Sequence, residues 1–547
     1  MTVAAELPPS GWWTSDGTPP AAEAAKLKEC VYRLKDPVYL LKSQSGYAVA
    51  CDGQVQLGGG KRSAESWPLV ACALPLPLRH LGDAAFLDEY GMQYPYLAGA
   101  MAHGISSAEM VEAMGRNGMM GFFGSAGMSL QAVEATIERL SDNLGERPYG
   151  CNLIHSPGEP GLEEALVDVY LRKGLRLLSA SAYLALTLPL VRYRVHGIYR
   201  DASGRIVTPN HVFAKVSRTE LASQFFSPPP ERFLRQLVER GDITEEQAKL
   251  AEHIPMAQNL TAEADSGGHT DNRPAMALIP TMLALRDRMQ ARYNYHQELR
   301  VGAAGGIATP ASTAAAFAMG AAYVMTGSVN QACRESGSSD IVRRMLADAQ
   351  QADIVMAPAA DMFEMGVKVQ VLKRGTMFAM RAAKLYNLYR TYATLDDIPL
   401  NERTILEQKF FRKPLEMVWE ETREFFLERG PAQLERAERD PGYKMALVFR
   451  SYLGQASHWA NRGETSRKID FQIWCGPAMG AFNEWTKGTF LEDPANRRVV
   501  TVALNLLYGA GIVTRLNSLR MQGARLAVNL WNVEPLPQEE LLTRIAA

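Results

Sequence analysis

Eight short apolar runs recur between about residue 90 and residue 330, with helical stretches between them, and this alternation limits the fold more than any other feature. In one such stretch, "SLQAVEATIERLSDNLG", one helical face carries Leu130, Val133, Ile137 and Leu140. The runs are "YPYLAGAMA", "MMGFFGSA", "YGCNLIH", "LRLLSAS", "HVFAKVS", "LTAEAD", "LRVGAAGG" and "AYVMTGS". Eight strands alternating with helices predict a (β/α)8 TIM barrel. A doubly wound sheet, for which fewer strands are expected, is the alternative.

The remaining sequence predicts two further parts, because 547 residues exceed what one core usually holds. Residues 1–85 are rich in Pro and Gly and contain strand-like pieces such as "PVYLLKSQSGYAVA", which predict a small β-containing module. The barrel is expected over residues 86–355. Residues 356–547 have the composition and spacing of helices and predict a helical domain.

Charge and composition exclude several classes of protein. A formal net charge of −1 argues against nucleic-acid binding, which needs a basic field. No apolar run has the length of a membrane span, and the start of the chain does not have the pattern of a signal peptide, so we expect a cytoplasmic protein. The six cysteines form no C-x-x-C pair and the nine histidines form no H-x-x-x-H, so we expect no metal site.

The last two runs end in small residues that suit an anion. Gly305 and Gly306 follow one run, and Thr326, Gly327 and Ser328 end the next. Glycine lets the backbone approach an anion, and a following helix N-terminus adds partial positive charge. In a barrel, the phosphate site commonly follows the last two strands. The alternative is that the glycines only turn the chain.

A histidine in an unusual setting follows the sixth run. In "EADSGGHTDNRP", His269 comes directly after Gly267 and Gly268. A strand end of a barrel is where catalytic groups lie, and a histidine that titrates near neutrality suits proton transfer. A purely structural histidine is the alternative.

These motifs resemble the flavin-dependent family that includes nitronate monooxygenases and bacterial FMN-dependent enoyl-ACP reductases. Nearly the whole chain is similar to the PfaD-type trans-acting enoyl reductases of polyunsaturated fatty acid and polyketide synthases. The most specific motif is "DSGGHTD", in which Asp271 stands where the relatives usually have glycine.

The resemblance implies FMN and a set of residues that hold it. Gly99, Ala100, Met101 and Gly124 would lie against the flavin ring. Asn152, Lys215 and Asp265 would contact its pyrimidine edge or ribityl chain, although Lys215 could also be an ordinary lysine at a strand end. Gly267 and Gly268 would let the backbone pass beneath the cofactor. The residues implied for the phosphate are Ala304, Gly305, Gly306, Gly327 and Ser328.

The resemblance also implies the reaction. NADPH or NADH would reduce FMN, which would then reduce the α,β-double bond of an enoyl thioester on an acyl carrier protein, with His269 as the catalytic acid or donor. A nitronate-oxidising flavoenzyme and a non-catalytic synthase scaffold are the alternatives, and a homodimer is left open.

Two basic clusters in the C-terminal region are candidates for receiving the carrier protein or its phosphopantetheine. One is "KFFRKP", residues 409–414, and the other contains Arg515, Arg520 and Arg525. Solvated surface charge is the alternative for both. Cys333 follows the predicted phosphate loop, and we interpret it as an ordinary buried cysteine.

Overall fold

The N-terminal part is a five-stranded antiparallel sheet. The structure, a computed structural model, describes residues 10–44, 46–58, 65–156 and 160–546. Among them, the sheet has the order third, second, fifth, first, fourth in sequence. Trp13 is fully buried in its small core. The strands are Gly11–Thr14, Val38–Ser43, Gly46–Ala50, Gln54–Leu57 and Trp67–Ala73, and helix Ala24–Tyr32 follows the first of them.

The eight predicted apolar runs form the eight strands of a closed barrel. Each strand pairs in parallel with the next, and the eighth closes on the first through Val324↔Tyr96. This confirms the barrel, and the doubly wound sheet is wrong. The strands are near-continuous in apolar sequence because both faces are covered. In chain order they are Tyr96–Ala98, Met120–Phe123, Tyr149–Ile154, Leu177–Ser181, His211–Val216, Asn259–Glu263, Arg300–Ala304 and Val324–Thr326.

Aromatic side chains fill the barrel interior. The rings of Phe122 and Phe213 lie 5.2 Å apart, and those of Phe213 and Tyr323 lie 6.0 Å apart. Phe86 of helix Ala84–Tyr90 stacks on Tyr323, with ring centroids 4.8 Å apart. The barrel is therefore a packed core, which leaves the carboxyl ends of its strands as the place for a site.

Helices follow the strands as the pattern predicts, and several begin with a capping side chain. Ser107, Ser129 and Thr309 each accept a hydrogen bond from a backbone N–H of the first turn. In chain order these helices are Ala108–Arg116, Leu130–Leu144, Pro160–Arg172, Leu188–Val195, Thr219–Phe226, Glu231–Glu239, Glu245–Ala251, Ala275–Tyr293, Pro310–Ala318, Ser328–Gln331 and Asp340–Ala347. A two-stranded ribbon, Tyr199–Arg200 with Ile206–Val207, precedes the fifth strand.

The outer ring of helices is completed by a segment far along the chain. Helix Val499–Met521 packs against Pro310–Ala318 and Ala108–Arg116, which follow the seventh and first barrel strands. The approach is close, since a Cβ added at Gly509 would lie 2.5 Å from Pro310 Cγ. Among the described residues, this is the one helix long and apolar enough to cross a membrane, and 94% of its apolar window is buried inside the protein. The apolar side chains of this helix are therefore buried against the helices of the barrel.

Residues 354–474, which we call the insert, have a core of their own. Strands Ile354–Pro358 and Lys368–Leu372 form a hairpin, to which Gly268–His269 adds a third strand. The helices of the insert are Phe378–Thr391, Leu400–Ile405, the π-helix Leu406–Phe411, Leu415–Arg429, Pro431–Arg439, Pro441–Arg462 and the 3₁₀ helix Thr465–Asp470. Outside it, the last helices are Ala478–Thr486 and Gln538–Ala546, and the remaining 3₁₀ turns are Leu78–His80, Gln351–Asp353, Pro494–Asn496 and Val528–Trp531. The predicted C-terminal helical domain is therefore present, and its helices divide between the insert and the barrel wall.

Of the basic cluster predicted at Arg515, Arg520 and Arg525, Arg520 and Arg525 are exposed, but Arg515 does not lie at the surface. Arg515 is 2% exposed and donates to backbone carbonyls at the end of helix Ala24–Tyr32, including those of Val31, Arg33 and Leu34. Burial lowers the pKa of this guanidinium. Our hypothesis that Arg515 receives a carrier protein is wrong, because its charge is used to join the N-terminal module to the barrel wall.

Candidate active site

A cleft of about 640 Å³, including its open mouth, lies at the carboxyl ends of the barrel strands. It collects residues from five strand ends that are far apart in sequence. Ten of the fifteen residues predicted from the sequence line it: Gly99, Ala100, Met101, Lys215, Gly267, Ala304, Gly305, Gly306, Gly327 and Ser328. Predicted ring, pyrimidine and phosphate residues thus share one cavity.

The glycines after the seventh and eighth strands leave space that a side chain would fill. Gly305 has φ +82°, and a Cβ there would lie 2.7 Å from the carbonyl carbon of Ala264. At Gly306 a Cβ would meet no atom within 4 Å, and at Gly327 the nearest is Met101 Sδ at 4.0 Å. The short helix Ser328–Gln331 begins at the same place. Glycine backbone and the Ser328 hydroxyl therefore line an open space, and glycine backbone beside a hydroxyl is an arrangement that suits a phosphate.

Lys215 is held by a carboxylate that the sequence interpretation missed. Its Nζ lies 2.9 Å from Glu263 Oε1, and both side chains are less than one-fifth exposed. Glu263 also accepts a hydrogen bond from Ser266 Oγ at 3.3 Å. Strand alternation is the signal that could have found it, since Thr261 and Glu263 share a face and Lys215 pairs with Thr261 in the barrel register.

Asp265 lies outside the cleft lining, although we predicted it there. Its Oδ1 accepts a hydrogen bond from Asn272 Nδ2 at 2.9 Å, and its backbone N–H donates to the carbonyl of Arg273. The carboxylate stabilises the loop that follows the histidine. Glu263, two residues earlier, is the acid that reaches the cleft.

Gly124 and Asn152 also lie outside the cleft lining, and their contacts are with the neighbouring loops that support it. A Cβ at Gly124 would lie 1.7 Å from the carbonyl oxygen of Met101, so only glycine lets the two loops meet. Asn152 is 5% exposed, and its side-chain oxygen accepts hydrogen bonds from Ser125 Oγ at 2.9 Å and the Ala126 N–H at 3.3 Å. Both residues hold the strand ends in place.

His269 is paired with a residue of the insert. Its Nε2 lies 3.2 Å from Asp361 Oδ1, and its side chain is 31% exposed. Burial lowers the pKa of His269, but the hydrogen bond and charge of Asp361 outweigh it, so the pKa is raised above 6.5. Neither His269 nor Gly268 lines the cleft, although the charges of Glu263 and Lys215 both act on the imidazole.

The loop after His269 is fixed by ion pairing. Asp271, at the position where the resembling proteins usually have glycine, accepts bonds from Ser217 Oγ at 2.6 Å and from Arg218 Nε at 2.9 Å. The hydrogen bond from Arg218 and that from Ser217, which outweigh burial, lower the pKa of Asp271 to about 2. The carboxylate therefore anchors this loop to the end of the fifth strand.

A segment at residues 474–478 covers the cleft, and the sequence interpretation missed it by treating "WCGPAMG" as helical. Trp474 and Ala478 line the cleft. A Cβ at Gly476 would lie 2.7 Å from the Gly267 N, and the Gly476 N–H donates to Ser328 Oγ at 3.1 Å. The Gly-Pro pair in that segment was the available signal for a non-helical turn.

Cys333 has no place in the cleft. It is fully buried, and burial raises the pKa of its thiol. Its Sγ lies 3.5 Å from the carbonyl of Val329, one helical turn earlier. Its interpretation as an ordinary buried cysteine agrees with these contacts.

Comparison with known proteins identifies the barrel. Residues 85–397, more than half of the chain, match the family described as nitronate monooxygenase. The chain belongs to this family. Residues 392–471, which lie within the insert, match the inserted helical domain of [acyl-carrier-protein] S-malonyltransferase.

Within the nitronate monooxygenase family, the chain is of the PfaD type. It is 40% identical to a crystal structure of the enoyl reductase domain of MlnA, from the macrolactin biosynthesis cluster of Bacillus amyloliquefaciens. The TM-score is 0.77, and the match covers 81% of this chain and 99% of that domain.

Two longer relatives are named for fatty acid or polyketide biosynthesis. The chain is 47% identical to a polyunsaturated fatty acid synthase polypeptide of Thraustochytrium sp., over 82% of this chain and 30% of the relative. It is 44% identical to polyketide biosynthesis protein PksE of Bacillus subtilis, over 78% of this chain and 55% of the relative. The chain thus matches only part of the length of either protein.

Proposed function

We propose that the chain is an FMN-dependent trans-acting enoyl reductase. It would use NADPH or NADH to reduce the α,β-double bond of enoyl thioesters on an acyl carrier protein. One observation carries the proposal: the glycine cradle after the last two strands and the Lys215–Glu263 pair line the same cleft. The 40% identity to an enoyl reductase domain supports the reaction class.

The residues of the cleft fit FMN. Open space at Gly306 and Gly327, beside the Ser328 hydroxyl, suits a phosphate monoester. Gly99 and Met101 line the same cleft and would contact the planar ring. When bound, FMN supplies hydride transfer from the nicotinamide to the enoyl carbon.

The side chains around the cleft have two roles in this proposal. Lys215, held at 2.9 Å by Glu263, places a cation in the cleft, where it would stabilise negative charge. His269 would hold a proton on its imidazole, because Asp361 raises its pKa, and deliver it to Cα of the substrate or donate to the thioester oxygen. Segment 474–478 would exclude water from the cleft.

The carrier protein as partner is supported by the relatives. Proteins of polyunsaturated fatty acid and polyketide biosynthesis share 44–47% identity with this chain. The insert resembles a helical domain of an enzyme that is named for acting on acyl carrier protein. We therefore propose a carrier-bound thioester, and not a free acid, as the substrate.

Nitronate oxidation is the second candidate, favoured by the family match over residues 85–397. The experiment compares crotonyl-carrier protein plus NADPH under nitrogen with a simple alkyl nitronate plus oxygen. We expect nicotinamide oxidation coupled to butyryl-carrier protein formation. Oxygen uptake with the nitronate, without crotonyl reduction, would establish the second candidate. Stoichiometric bound FMN with neither activity would establish the scaffold alternative.

A further inference from the structure

A larger groove of about 2350 Å³, including its open mouth, lies beside the cleft. One wall comes from the loops after the first three barrel strands, and the other comes from the insert. Trp474 lines both the groove and the cleft, and it stacks on His103 with the two rings 2° from parallel. The groove thus adjoins the proposed active site at Trp474.

Two helices of the insert each turn one face toward the groove. Helix Leu415–Arg429 presents positions 418, 421, 422 and 425, which follow helical spacing. Helix Pro441–Arg462 presents Arg450, Gly454, His458 and Arg462, one from each of four successive turns. This second helix therefore runs along the length of the groove.

The groove lining is of mixed character. Val418 and Phe425 offer apolar surface, while Thr422, Ser451 and Gln455 offer hydrogen-bonding groups. A hydrocarbon ligand would bury these polar groups without replacing their hydrogen bonds to water, which costs binding free energy. A ligand that alternates methylene segments with amides satisfies both kinds of surface.

One cation on the groove is not neutralised. Lys413 lies 2.7 Å from a Glu421 oxygen, and Arg450 and Arg467 are paired with carboxylates at 3.2 Å. For Arg462, which is exposed, no ion pair or side-chain hydrogen bond is found within the described part of the chain. It is the groove position best suited to an anion of the ligand.

The opposite end of the groove reaches the proposed proton donor. Asp361 lines the groove and accepts the hydrogen bond of His269, and the charge of Arg450 acts on the same carboxylate. Arg450 and Arg462 are twelve residues apart on one helix, which corresponds to about 18 Å. An extended chain of four to five residues' length spans about 13–18 Å.

We propose that the groove binds the phosphopantetheine arm of the carrier protein, with its phosphate at Arg462 and its thioester end toward Asp361. The arm has the length of such a chain, two amides, methylene segments and one phosphate, which match the span, the mixed lining and the cation. This inference rests on the proposed enoyl reductase function, and it names how that site receives its substrate.

Gly454 allows the groove to be blocked without strain. It lies inside helix Pro441–Arg462 between Arg450 and His458, and a Cβ there would meet no atom within 4 Å. Leucine is a better helix former than glycine, so Gly454→Leu is expected to keep the fold and fill the groove. Gly454→Ala, which adds one methyl group at the same place, is the matched control.

Arg462→Gln tests the phosphate position. Arg439→Gln is its control, since Arg439 is also an exposed arginine in the last turn of an insert helix but does not line the groove. The substrates are crotonyl thioesters of phosphopantetheine, pantetheine and N-acetylcysteamine, and calorimetry measures binding of S-acetyl-phosphopantetheine.

We expect Gly454→Leu to lower kcat/KM for both pantetheine thioesters and to weaken binding of S-acetyl-phosphopantetheine. Arg462→Gln should lower kcat/KM about tenfold with the phosphorylated arm only. Activity on the N-acetylcysteamine thioester should be unchanged in both variants, and the two control variants should behave as the wild type.

Unchanged binding of S-acetyl-phosphopantetheine in Gly454→Leu would overturn the proposal, and so would an equal loss with the N-acetylcysteamine thioester. These outcomes leave the reductase function intact if the wild type reduces crotonyl thioesters. Wild-type protein that binds S-acetyl-phosphopantetheine through Gly454 and Arg462 but reduces no thioester would reject the reductase function and keep the groove.

Discussion

His269 Nε2 lies 3.2 Å from Asp361 Oδ1, so a side chain that follows the sixth barrel strand is held by a carboxylate from the insert. The contact is supported by backbone pairing of His269 with Val369. A group expected to act in the barrel is therefore oriented by a part of the chain about 90 residues away. In the proposed function, the insert would therefore contribute to the active site as well as to the groove for the phosphopantetheine arm.

Replacing His269 by alanine should separate cofactor binding from enoyl reduction. Because its side chain lies outside the cleft lining, His269→Ala is expected to retain FMN and to accept electrons from NADPH at the wild-type rate. Oxidation of the reduced protein by crotonyl thioester should slow by about 10²- to 10⁴-fold, the usual contribution of a positioned acid. Stopped-flow absorbance measures each half-reaction.

The control for this variant is His253→Ala, at an exposed histidine outside the site. It should behave as the wild type in both half-reactions. If His269→Ala loses FMN but keeps the wild-type rate of enoyl reduction in the molecules that retain it, the histidine is structural.

Replacing Asp361 by asparagine should lower the pKa of His269. Burial, which lowers this pKa, remains in the variant, while the hydrogen bond to a carboxylate and its charge are lost. The His269 Cε1–H resonance, assigned by its disappearance in His269→Ala, should titrate at lower pH in Asp361→Asn. An unchanged titration would show that the two residues do not interact in solution.

The same pair should make stability depend on pH in a defined window. The folded-state pKa of His269 is raised above 6.5, so its contribution is complete below pH 6.5 and is lost as pH rises through that pKa. Burial raises the pKa of Asp361, but the hydrogen bond and charge of His269 outweigh it, so the folded-state pKa is lowered below 3.8. The contribution of Asp361 to stability is therefore complete above pH 3.8 and is lost as pH falls through its folded-state pKa. The stability difference between wild type and Asp361→Asn should be largest between these limits, at most about 1 kcal/mol for such partly exposed groups. Urea unfolding at a series of pH values measures it.

Replacing Gly327 by leucine should empty the phosphate cradle without unfolding the barrel. Its φ of −128° is outside the left-handed region, and the nearest atom to an added Cβ is 4.0 Å away. The side chain would occupy the space proposed for the phosphate. Bound FMN per chain, measured by absorbance after desalting, should fall to a small fraction.

The control is Gly161→Leu, at an exposed helical position where a Cβ also meets open space. Both variants should unfold at the wild-type temperature when free of cofactor. Full FMN occupancy in Gly327→Leu would refute the assignment of the phosphate site.

Replacing Arg515 by leucine should destabilise the protein strongly. The variant leaves several carbonyls around the end of helix Ala24–Tyr32 without their donor, at a cost of about 3 kcal/mol or more. Arg520→Leu, five residues later on an exposed face, should cost less than about 1 kcal/mol. Chemical denaturation compares them, and equal midpoints would contradict the structural role of Arg515.

The barrel and the glycines that line its cleft could be predicted from the sequence because both depend on local features. Strand runs, helix caps and glycine turns are encoded within a few residues, and the order of strands around a barrel follows their order in the chain. Gly305, Gly306 and Gly327 were found for this reason. The carboxyl ends of neighbouring parallel strands must meet, whatever the details of packing.

Other features depend on contacts between segments that are distant in sequence, and only the tertiary structure decided these. That Glu263, and not Asp265, reaches the cleft and pairs with Lys215 follows from the strand register. The burial of Arg515 and the role of helix Val499–Met521 in the barrel wall follow from which surfaces the chain brings together after residue 354.

The sequence by itself determined a TIM barrel with glycines lining a cleft at the ends of its last two strands, because strand periodicity and glycine turns act over a few residues. The tertiary structure alone decided that Asp361 holds His269 and that Trp474 separates the cleft from the groove. These contacts join segments 92 or more residues apart, as between His269 and Asp361. Neither propensity nor spacing encodes them, because their free energy arises only when the insert packs over the barrel mouth.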